Sequence, residues 1–475
     1  MSDKQGKRQL VVIGAGPGGY AAAFHASGLG MQVTLIDPEK NPGGVCLYRG
    51  CIPTKALLHV AKVITEAEDA KDFGVEYSKP TIDVDRIRSW KNSVVERLTQ
   101  GLGQLTKKRK IEYIQGRATF VGSNSIEVKG TNGSTEIISY EHAILATGAY
   151  PTQLPGVPYD LPAVMDSTTA LDLPSIPESM LIIGGGYIGL ELGNMYAALG
   201  TRVSVVEMTS GLMPGTDSEL VRYLSRRLEK LFESIMLKTT VAQITQHNNG
   251  VKVSFEGEKV ATKENVYEKV LVAVGRRPCS EDLGLENTGI QVDKRGFVKI
   301  DEKRQTDDPA IYAIGDVAGG PLLAHKAAHE AMVAARAISG HKVAFEPQAI
   351  PFVEYTEPEV AECGLSETRA REKNIKIQVA KFPWAASGRA MTLNKPEGLT
   401  KLIIDPDTGR VLGAGIVGTG AGELISECAL AVEMGALASD ISLTIHPHPS
   451  LSETIMEAAD VFLGHSAHVY RPKKD

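Results

Sequence analysis

Two stretches of the chain align with each other without a gap: VVIGAGPGGYAAAFHASGLGMQVTLID at 11–37 and LIIGGGYIGLELGNMYAALGTRVSVVE at 181–207. Each opens on an apolar run of the kind that fills a buried parallel strand. Each then turns through G-x-G-x-x-G, continues as an Ala-rich helical stretch and ends on a second apolar run. The glycines are Gly14, Gly16 and Gly19 in the first copy and Gly184, Gly186 and Gly189 in the second. The first of each trio permits the tight turn, the second lets a pyrophosphate reach the backbone at a helix N-terminus, and the third allows close packing of helix on strand. Asp37 and Glu207 end the second strands, where a ribose hydroxyl pair needs an acceptor. The fold class expected is therefore α/β, with two Rossmann-like dinucleotide-binding domains.

Two further apolar runs, HAILATGAYP at 142–151 and KVLVAVGRRP at 269–278, stop at a glycine and then a proline. They read as crossovers between domains, with Pro151 and Pro278 opening linkers. In AIYAIGDVAGGPLLAHKAAHEAMVAARAISG, at 310–340, a strand ends at Gly315-Asp316 and a helix begins near Leu323. Asp316 at the carboxyl end of a strand suits a polyhydroxy chain, although an Asp after Gly is also an ordinary turn residue. From 348 onward the nucleotide pattern is gone, and KLIIDPDTGRVLGAGIVG at 401–418 reads as a hairpin within an α+β domain. The expected division is 1–150, 151–277, 278–347 and 348–475.

The net charge of −6 and the scattered Lys and Arg argue against nucleic acid or an anionic membrane as partner. No apolar run is long enough to span a bilayer, and the charged start MSDKQGKRQL does not resemble a secretory signal, so a cytoplasmic location is expected. Five cysteines are too few for a secreted disulfide framework, yet Cys46 and Cys51 fall together in GGVCLYRGCIPTK. Zinc would need about four ligands, and Cys279, Cys363 and Cys428 are isolated in sequence, so no metal site is expected. On spacing alone the pair could be two buried thiols. The surroundings point further: glycines that let backbone pass close to a flat ligand, Pro53 breaking the helix that would otherwise run through ALLHVAKVITEAEDAK, and Lys55 one turn on. A cation and a helix N-terminus turn a thiol into a usable thiolate, so the pair is poised to cycle between dithiol and disulfide with the cofactor of the first unit.

The segment GGVCLYRGCIPTK resembles the redox-active disulfide of the flavoprotein disulfide reductases with two dinucleotide-binding domains, and the likeness runs from GAGPGG to HPHPSLSE. The C-x4-C pair, FPWAASGRA at 382–390 and HPHPSLSE at 446–453 are most similar to the branch that oxidises dihydrolipoyl groups. The resemblance implies FAD in the first unit and NAD in the second, with 278–347 completing the FAD site and 348–475 forming a homodimer interface. It implies Cys46 as the interchange thiol and Cys51 as the thiol against the flavin, with Lys55 beside the flavin and paired with Glu191. Thr147, Gly148, Asp316 and the helix start at Leu323, Ala324 and His325 would complete the FAD site; Gly275 would join the NAD site, with Tyr187 covering the nicotinamide pocket. His448 would be the base and Glu453 its orienting partner. Ser450-x-x-Glu453 is also a capping box, and His446 could be a structural histidine. The partners implied are lipoyl domains of 2-oxoacid dehydrogenase complexes or of the glycine cleavage system.

Asp37, Arg49, Thr54 and Pro447 depart from the commonest family pattern without removing a chemical role. The alternatives are another reductase of the same fold, like the glutathione or mercuric reductases, and a flavin-binding scaffold. The scaffold leaves the Cys, Lys, Glu and His set unexplained, and HSAHVYRPKKD lacks the cysteine pair of the mercuric enzymes.

Overall fold

The computed structural model describes residues 8–248, 250–258 and 263–470. Strand β1 (Arg8–Ile13) turns into α1 (Pro17–Gly28) and returns as β2 (Val33–Asp37). All five residues of β2 are buried, as a parallel strand covered on both faces must be. Helices α2 (Gly44–Arg49) and α3 (Cys51–Asp69) carry the cysteine pair. Beyond them, α4 (Val84–Lys108) leads to β3 (Glu112–Gly122), β4 (Ser125–Gly130) and β5 (Thr135–Leu145). The parallel order is β3-β2-β1-β5, and β4 joins the far ends of β3 and β5 antiparallel.

After β6 (Ala149–Pro151) come β7 (Val164–Met165), α5 (Ser167–Leu171), β8 (Ser179–Ile183), α6 (Tyr187–Ala198), β9 (Arg202–Glu207), α7 (Ser218–Leu231) and β10 (Ser234–Leu237). The antiparallel strands β11 (Thr239–His247), β12 (Gly250–Gly257) and β13 (Glu264–Tyr267) precede β14 (Lys269–Val272). The second parallel sheet runs β10-β9-β8-β14-β7. The duplication seen in the sequence thus extends to strand order, with β3-β2-β1-β5 matched by β10-β9-β8-β14.

The crossovers differ from expectation. Strand β15 (Arg276–Pro278) pairs antiparallel with β6, placing Pro151 opposite Arg276 and Pro278 opposite Ala149. Pro151 and Pro278 therefore end two strands of one short ribbon rather than opening linkers. Proline is tolerated there because a two-stranded ribbon is all edge and need not donate on its outer side. The chain then re-enters the first sheet through β16 (Ile311–Ala313), beside β5, and α8 (Ala324–Ile338) packs on α1.

The remaining elements are β17 (Phe352–Glu354), β18 (Glu359–Gly364), α9 (Glu367–Glu372), β19 (Gln378–Pro383), α10 (Gly388–Thr392), β20 (Leu399–Ile404), β21 (Val411–Gly418), α11 (Ala421–Met434), α12 (Ala438–Leu443) and α13 (Glu453–Leu463). They form an antiparallel sheet β17-β18-β21-β20-β19, with the expected hairpin between β20 and β21, covered by α11 and α13. One apolar core binds the three parts together: it takes Leu57 from α3, Leu190 from α6, Leu224 from α7, and Val360, Leu399 and Val417 from the C-terminal sheet. Among the described residues no helix is long and apolar enough to cross a membrane.

Candidate active site

The two glycine turns are built alike. Gly14 and Gly184 have φ of +93° and +106°, and a Cβ would lie 2.4 Å from the Ala146 carbonyl oxygen in one and 2.5 Å from that of Ala273 in the other. Glycine is required at both. The Ala15 N–H donates to Asp37 Oδ2 at 2.7 Å, and the Gly185 N–H to Glu207 Oε2 at 2.7 Å. The shorter Asp37 thus makes the same contact as Glu207. Burial pushes the Asp37 carboxyl up, partly offset by the Ala15 N–H and the Arg49 charge.

Around the first turn the structure gathers the other residues expected there. The Gly43 N–H donates to Ala15 O at 2.8 Å, and Gly44 is so close that a Cβ on it would lie 2.5 Å from Gly16 Cα. Thr147 Oγ1 donates to Cys279 O at 2.6 Å, and the Cys279 N–H to Gly148 O at 2.9 Å. Gly315 is held by Glu330, which accepts its N–H at 2.7 Å and is itself paired in the interior with Lys326 at 3.0 Å and Arg304 at 3.0 Å. That knot places Asp316 at the end of β16, where burial pushes its carboxyl up against the opposing pull of Arg276 and Lys326. Helix α8 starts beside it after Leu323, and His325 Nε2 donates to Pro351 O at 2.8 Å. A bare backbone floor, a buried carboxylate at a ribose position and the positive end of a 15-residue helix fit a dinucleotide with a flat ring system.

Around the second turn lies a cavity of about 1150 Å³ lined by Gly184, Gly186, Tyr187, Glu207, Gly275 and Arg276. This suits a second dinucleotide. The Tyr187 ring meets Phe352 edge-on at 5.7 Å, and burial pushes its hydroxyl up to about 12. Arg276 was not anticipated. The sequence signal was the pair of arginines at the strand end, and the side chain donates to Ala149 O while its charge reaches Asp316 and Tyr187.

Cys46 and Cys51 are both free thiols, on α2 and at the start of α3. Pro53 does not break the helix, contrary to expectation: α3 runs from Cys51 through it to Asp69. It occupies the first turn, where the backbone N–H groups have no intrahelical acceptor, so its missing donor costs nothing. The interruption falls at Gly50 instead. Contact with Cys46, ahead of the Lys55 charge, draws Cys51 down to about 7 against burial, while the same contact and burial push the Cys46 thiol up. Lys55 Nζ reaches both oxygens of Glu191, at 2.8 and 2.9 Å, because α3 packs directly on α6. Arg49 is tied to Glu39 rather than to either thiol.

His448 Nδ1 and Glu453 Oε1 are 2.9 Å apart, and Glu453 Oε2 accepts the Ser450 N–H at 2.7 Å. Glu453 thus serves the histidine and the loop together. The capping box is incomplete, because the Ser450 hydroxyl pairs with Ser452 rather than with the helix. Burial pushes the Glu453 carboxyl up, but the Ser450 N–H and His448 pull it down further, to below the usual carboxylate range. His446 is held by Thr444 O and Glu427, each at 2.8 Å. The FPWAASGRA segment anchors α13: Trp384 Nε1 donates to Thr400 Oγ1 at 2.9 Å, which lies 2.8 Å from Thr454 Oγ1, next to Glu453. Among the described residues no hydrogen bond or ion pair links His448 or Glu453 to either cysteine. The His448 side chain is 78% exposed, on a face that also bares Ile445 (94%), Leu443 (81%) and Met434 (76%).

One group of acids, Asp217, Glu219 and Glu367, is spaced to hold a metal ion. Lys401 Nζ already fills it, 2.6 Å from Asp217 and 3.3 Å from Glu219, and also paired with Glu367.

Residues 8–331 match the pyridine nucleotide-disulphide oxidoreductase family, and residues 350–459 match the dimerisation domain of the same family. The chain belongs to this family of FAD- and pyridine nucleotide-dependent oxidoreductases, whose C-terminal domain pairs two copies. Its relatives include the dihydrolipoyl dehydrogenases of Vibrio cholerae (46% identical, 97% of each chain covered), Haemophilus influenzae (47%, covering 97% and 96%) and Geobacillus stearothermophilus (42%, 97% of each). Among solved structures, LpdA of Mycobacterium tuberculosis superposes with a TM-score of 0.89 at 25% identity, covering 95% of this chain and 99% of that one. The HOCl-induced flavoprotein disulfide reductase RclA of Escherichia coli superposes with a TM-score of 0.85 at 30% identity, covering 97% and 99%.

Proposed function

We propose that this chain oxidises protein-bound dihydrolipoyl groups to lipoyl and reduces NAD to NADH, with lipoyl domains of 2-oxoacid dehydrogenase complexes or of the glycine cleavage system as partners and a cytoplasmic setting. The observation that carries the reading is the thiol pair at the junction of α2 and α3, with Lys55 one turn on and held by Glu191 at 2.8 Å, beside the first glycine turn. Relatives named for dihydrolipoyl oxidation, 41–47% identical over nearly the whole chain, support the substrate class.

The chain's part follows from thiol chemistry. A substrate thiolate attacks Cys46 of the oxidised pair, the Cys46–Cys51 bond breaks and Cys51 leaves as the thiolate that Lys55 and the α3 N-terminus favour. His448, oriented by Glu453, takes the proton of the second substrate thiol, whose sulfur displaces Cys46 and closes the lipoyl ring. Cys46 ends protonated, having received the proton that His448 took. When bound, FAD accepts two electrons from such a dithiol and delivers hydride to NAD. The Gly14 and Asp37 turn and the α8 N-terminus would hold the one cofactor; the Gly184 and Glu207 turn and the cavity beside Tyr187 would hold the other.

Steady-state rates test the reading: free dihydrolipoamide with NAD is turned over, and glutathione disulfide with NADPH is not. The preference for NADH over NADPH comes from Glu207, which would face a 2'-phosphate. Two like charges about 4 Å apart repel by about 1 to 4 kcal/mol in partly wet surroundings, or roughly fivefold to a thousandfold in kcat/KM. Equal specificity constants for the two nucleotides contradict the assignment of Glu207.

The site also predicts a pH dependence. In the reduced protein the Cys51 thiolate is expected to form as pH rises through about 7. Lys55→Met removes a charge that favours the thiolate, and should move this titration to higher pH, followed by thiolate absorbance or by the rate of alkylation.

A further inference from the structure

The chain between β9 and α7 walls one side of the cavity around the second glycine turn, with Met208, Thr209, Met213, Pro214 and Thr216 on it. It follows directly on Glu207, and so flanks the ribose position of that site. Its near end is fixed within its own domain: Glu207 Oε1 accepts the Thr209 N–H at 2.8 Å, and the Met213 N–H donates to Gly185 O at 2.9 Å. Its far end is Asp217, and there the C-terminal domain takes over. Asp217 Oδ1 caps α7 by accepting the Glu219 N–H at 2.9 Å. The Asp217 N–H donates to Glu362 Oε1 of β18 at 3.0 Å, and Asp217 Oδ2 accepts from Lys401 Nζ of β20 at 2.6 Å.

Lys401 is fully buried. An ammonium has three protons to donate, and Asp217, Glu219 and Glu367 stand ready to take all three. Burial opposes the charge, but Asp217 and Glu367 outweigh it and hold the ammonium above its usual range. Lys401 therefore borders the cavity with no donor left for a ligand, and its influence on one passes through Asp217. Docking of the two domains does not depend on it: Leu220 and Leu224 of α7 share an apolar core with Val360, Leu399 and Val417. Apolar contacts join the domains, and Lys401 holds the loop. A loop held in place beforehand costs a ligand nothing to order, whereas a loose one lowers the apparent affinity by the fraction of time it is out of place.

We propose that Lys401 is a positioning residue for the pyridine nucleotide: it fixes the Asp217 end of loop 208–217, so that a buried cation of the C-terminal domain sets how firmly the second dinucleotide domain holds NAD. This rests on the assignment of the cavity beside Tyr187 to that nucleotide.

The test compares oxidised, FAD-loaded wild type with Asp217→Asn, Lys401→Met and Glu367→Gln. Asp217→Asn keeps a good helix cap but has one acceptor oxygen where the carboxylate has two, and no charge for Lys401. Should Lys401→Met fail to fold, because it leaves carboxylates without their cation, Asp217→Asn carries the test alone. Glu367→Gln breaks a Lys401 pair of the same kind away from the loop. In the first two variants, amide hydrogen exchange over 208–217 should quicken by about tenfold or more while that of α6 is unchanged. NAD, titrated calorimetrically, should bind them about three- to thirtyfold more weakly. KM for NAD should rise with kcat nearly unchanged, a split that general loss of stability does not produce. Glu367→Gln should match wild type in all three measurements. Unchanged loop exchange in folded Asp217→Asn, unchanged NAD affinity beside a quickened loop, or Glu367→Gln weakening NAD as much as Asp217→Asn each overturns the proposal alone. If saturating NAD slows exchange neither at 208–217 nor at the Gly184 turn of wild type, the assignment of the cavity fails and the proposal with it.

Discussion

Cys46→Ser and Cys51→Ser are each expected to lower dihydrolipoamide oxidation by at least about a thousandfold, because thiol exchange has no second nucleophile to fall back on. Both variants should fold and bind FAD, since neither sulfur belongs to the apolar core. They should also retain NADH oxidation by a dye, which bypasses the thiols. They differ in spectrum. Cys51→Ser should have no long-wavelength charge-transfer absorbance in any redox state, whereas Cys46→Ser leaves Cys51 unable to form the disulfide and should show it without reduction. The direction follows from the roles proposed for the two thiols, and Lys55, whose charge favours the Cys51 thiolate, lies one turn on from Cys51. Absorbance that survives in Cys51→Ser reverses the two roles.

Much of the site was legible because its physical requirements are local. Gly14 and Gly184 must be glycine for a positive φ and a close carbonyl, and Asp37 and Glu207 must end their strands to reach the turn amides. Cys46, Cys51 and Lys55 fall within ten residues of one another, so their chemistry showed in the spacing. Glu191 is 136 residues from Lys55, and only the family resemblance pointed to that pair before α3 and α6 were seen to pack together. Glu354 could not be read at all, since FVEYTEPEVAEC looks like an alternating strand with its acid facing water. It faces inward because β17 packs against α11 and, through Phe352, against Tyr187 of α6, which no local pattern announces. The same holds for Lys401, whose burial depends on Asp217 and Glu367, far away in sequence. Pro53 and the two crossover prolines were misread for a different reason. Proline forbids a donor rather than a shape, and each stands where no donor is needed.

The second large effect concerns His448. His448→Gln keeps a hydrogen-bonding group beside Glu453 but no base, and should lower kcat by about a hundredfold to ten-thousandfold with little change in stability, given that the side chain is 78% exposed. That no hydrogen bond or ion pair joins it to the cysteines of its own chain, among the described residues, is the more telling feature. The histidine and its carboxylate stand on the dimerisation domain, among exposed Ile445, Leu443 and Met434, with no bond to the thiol pair among the described residues. If two copies pair across that face, as the function proposed above requires, each His448 would meet the partner's disulfide and two identical sites would be completed at once.

The central claim is therefore that one site is made by two chains, and subunit complementation tests it directly. Differently tagged Cys46→Ser and His448→Gln chains are co-expressed, and the heterodimer carrying both tags is isolated and assayed with dihydrolipoamide and NAD. With a shared site, one of its two centres receives both defects and the other receives none, so about half of the wild-type activity should return although each parent homodimer is nearly inactive. A heterodimer no more active than its parents contradicts the account and puts the base and the disulfide of each site on the same chain.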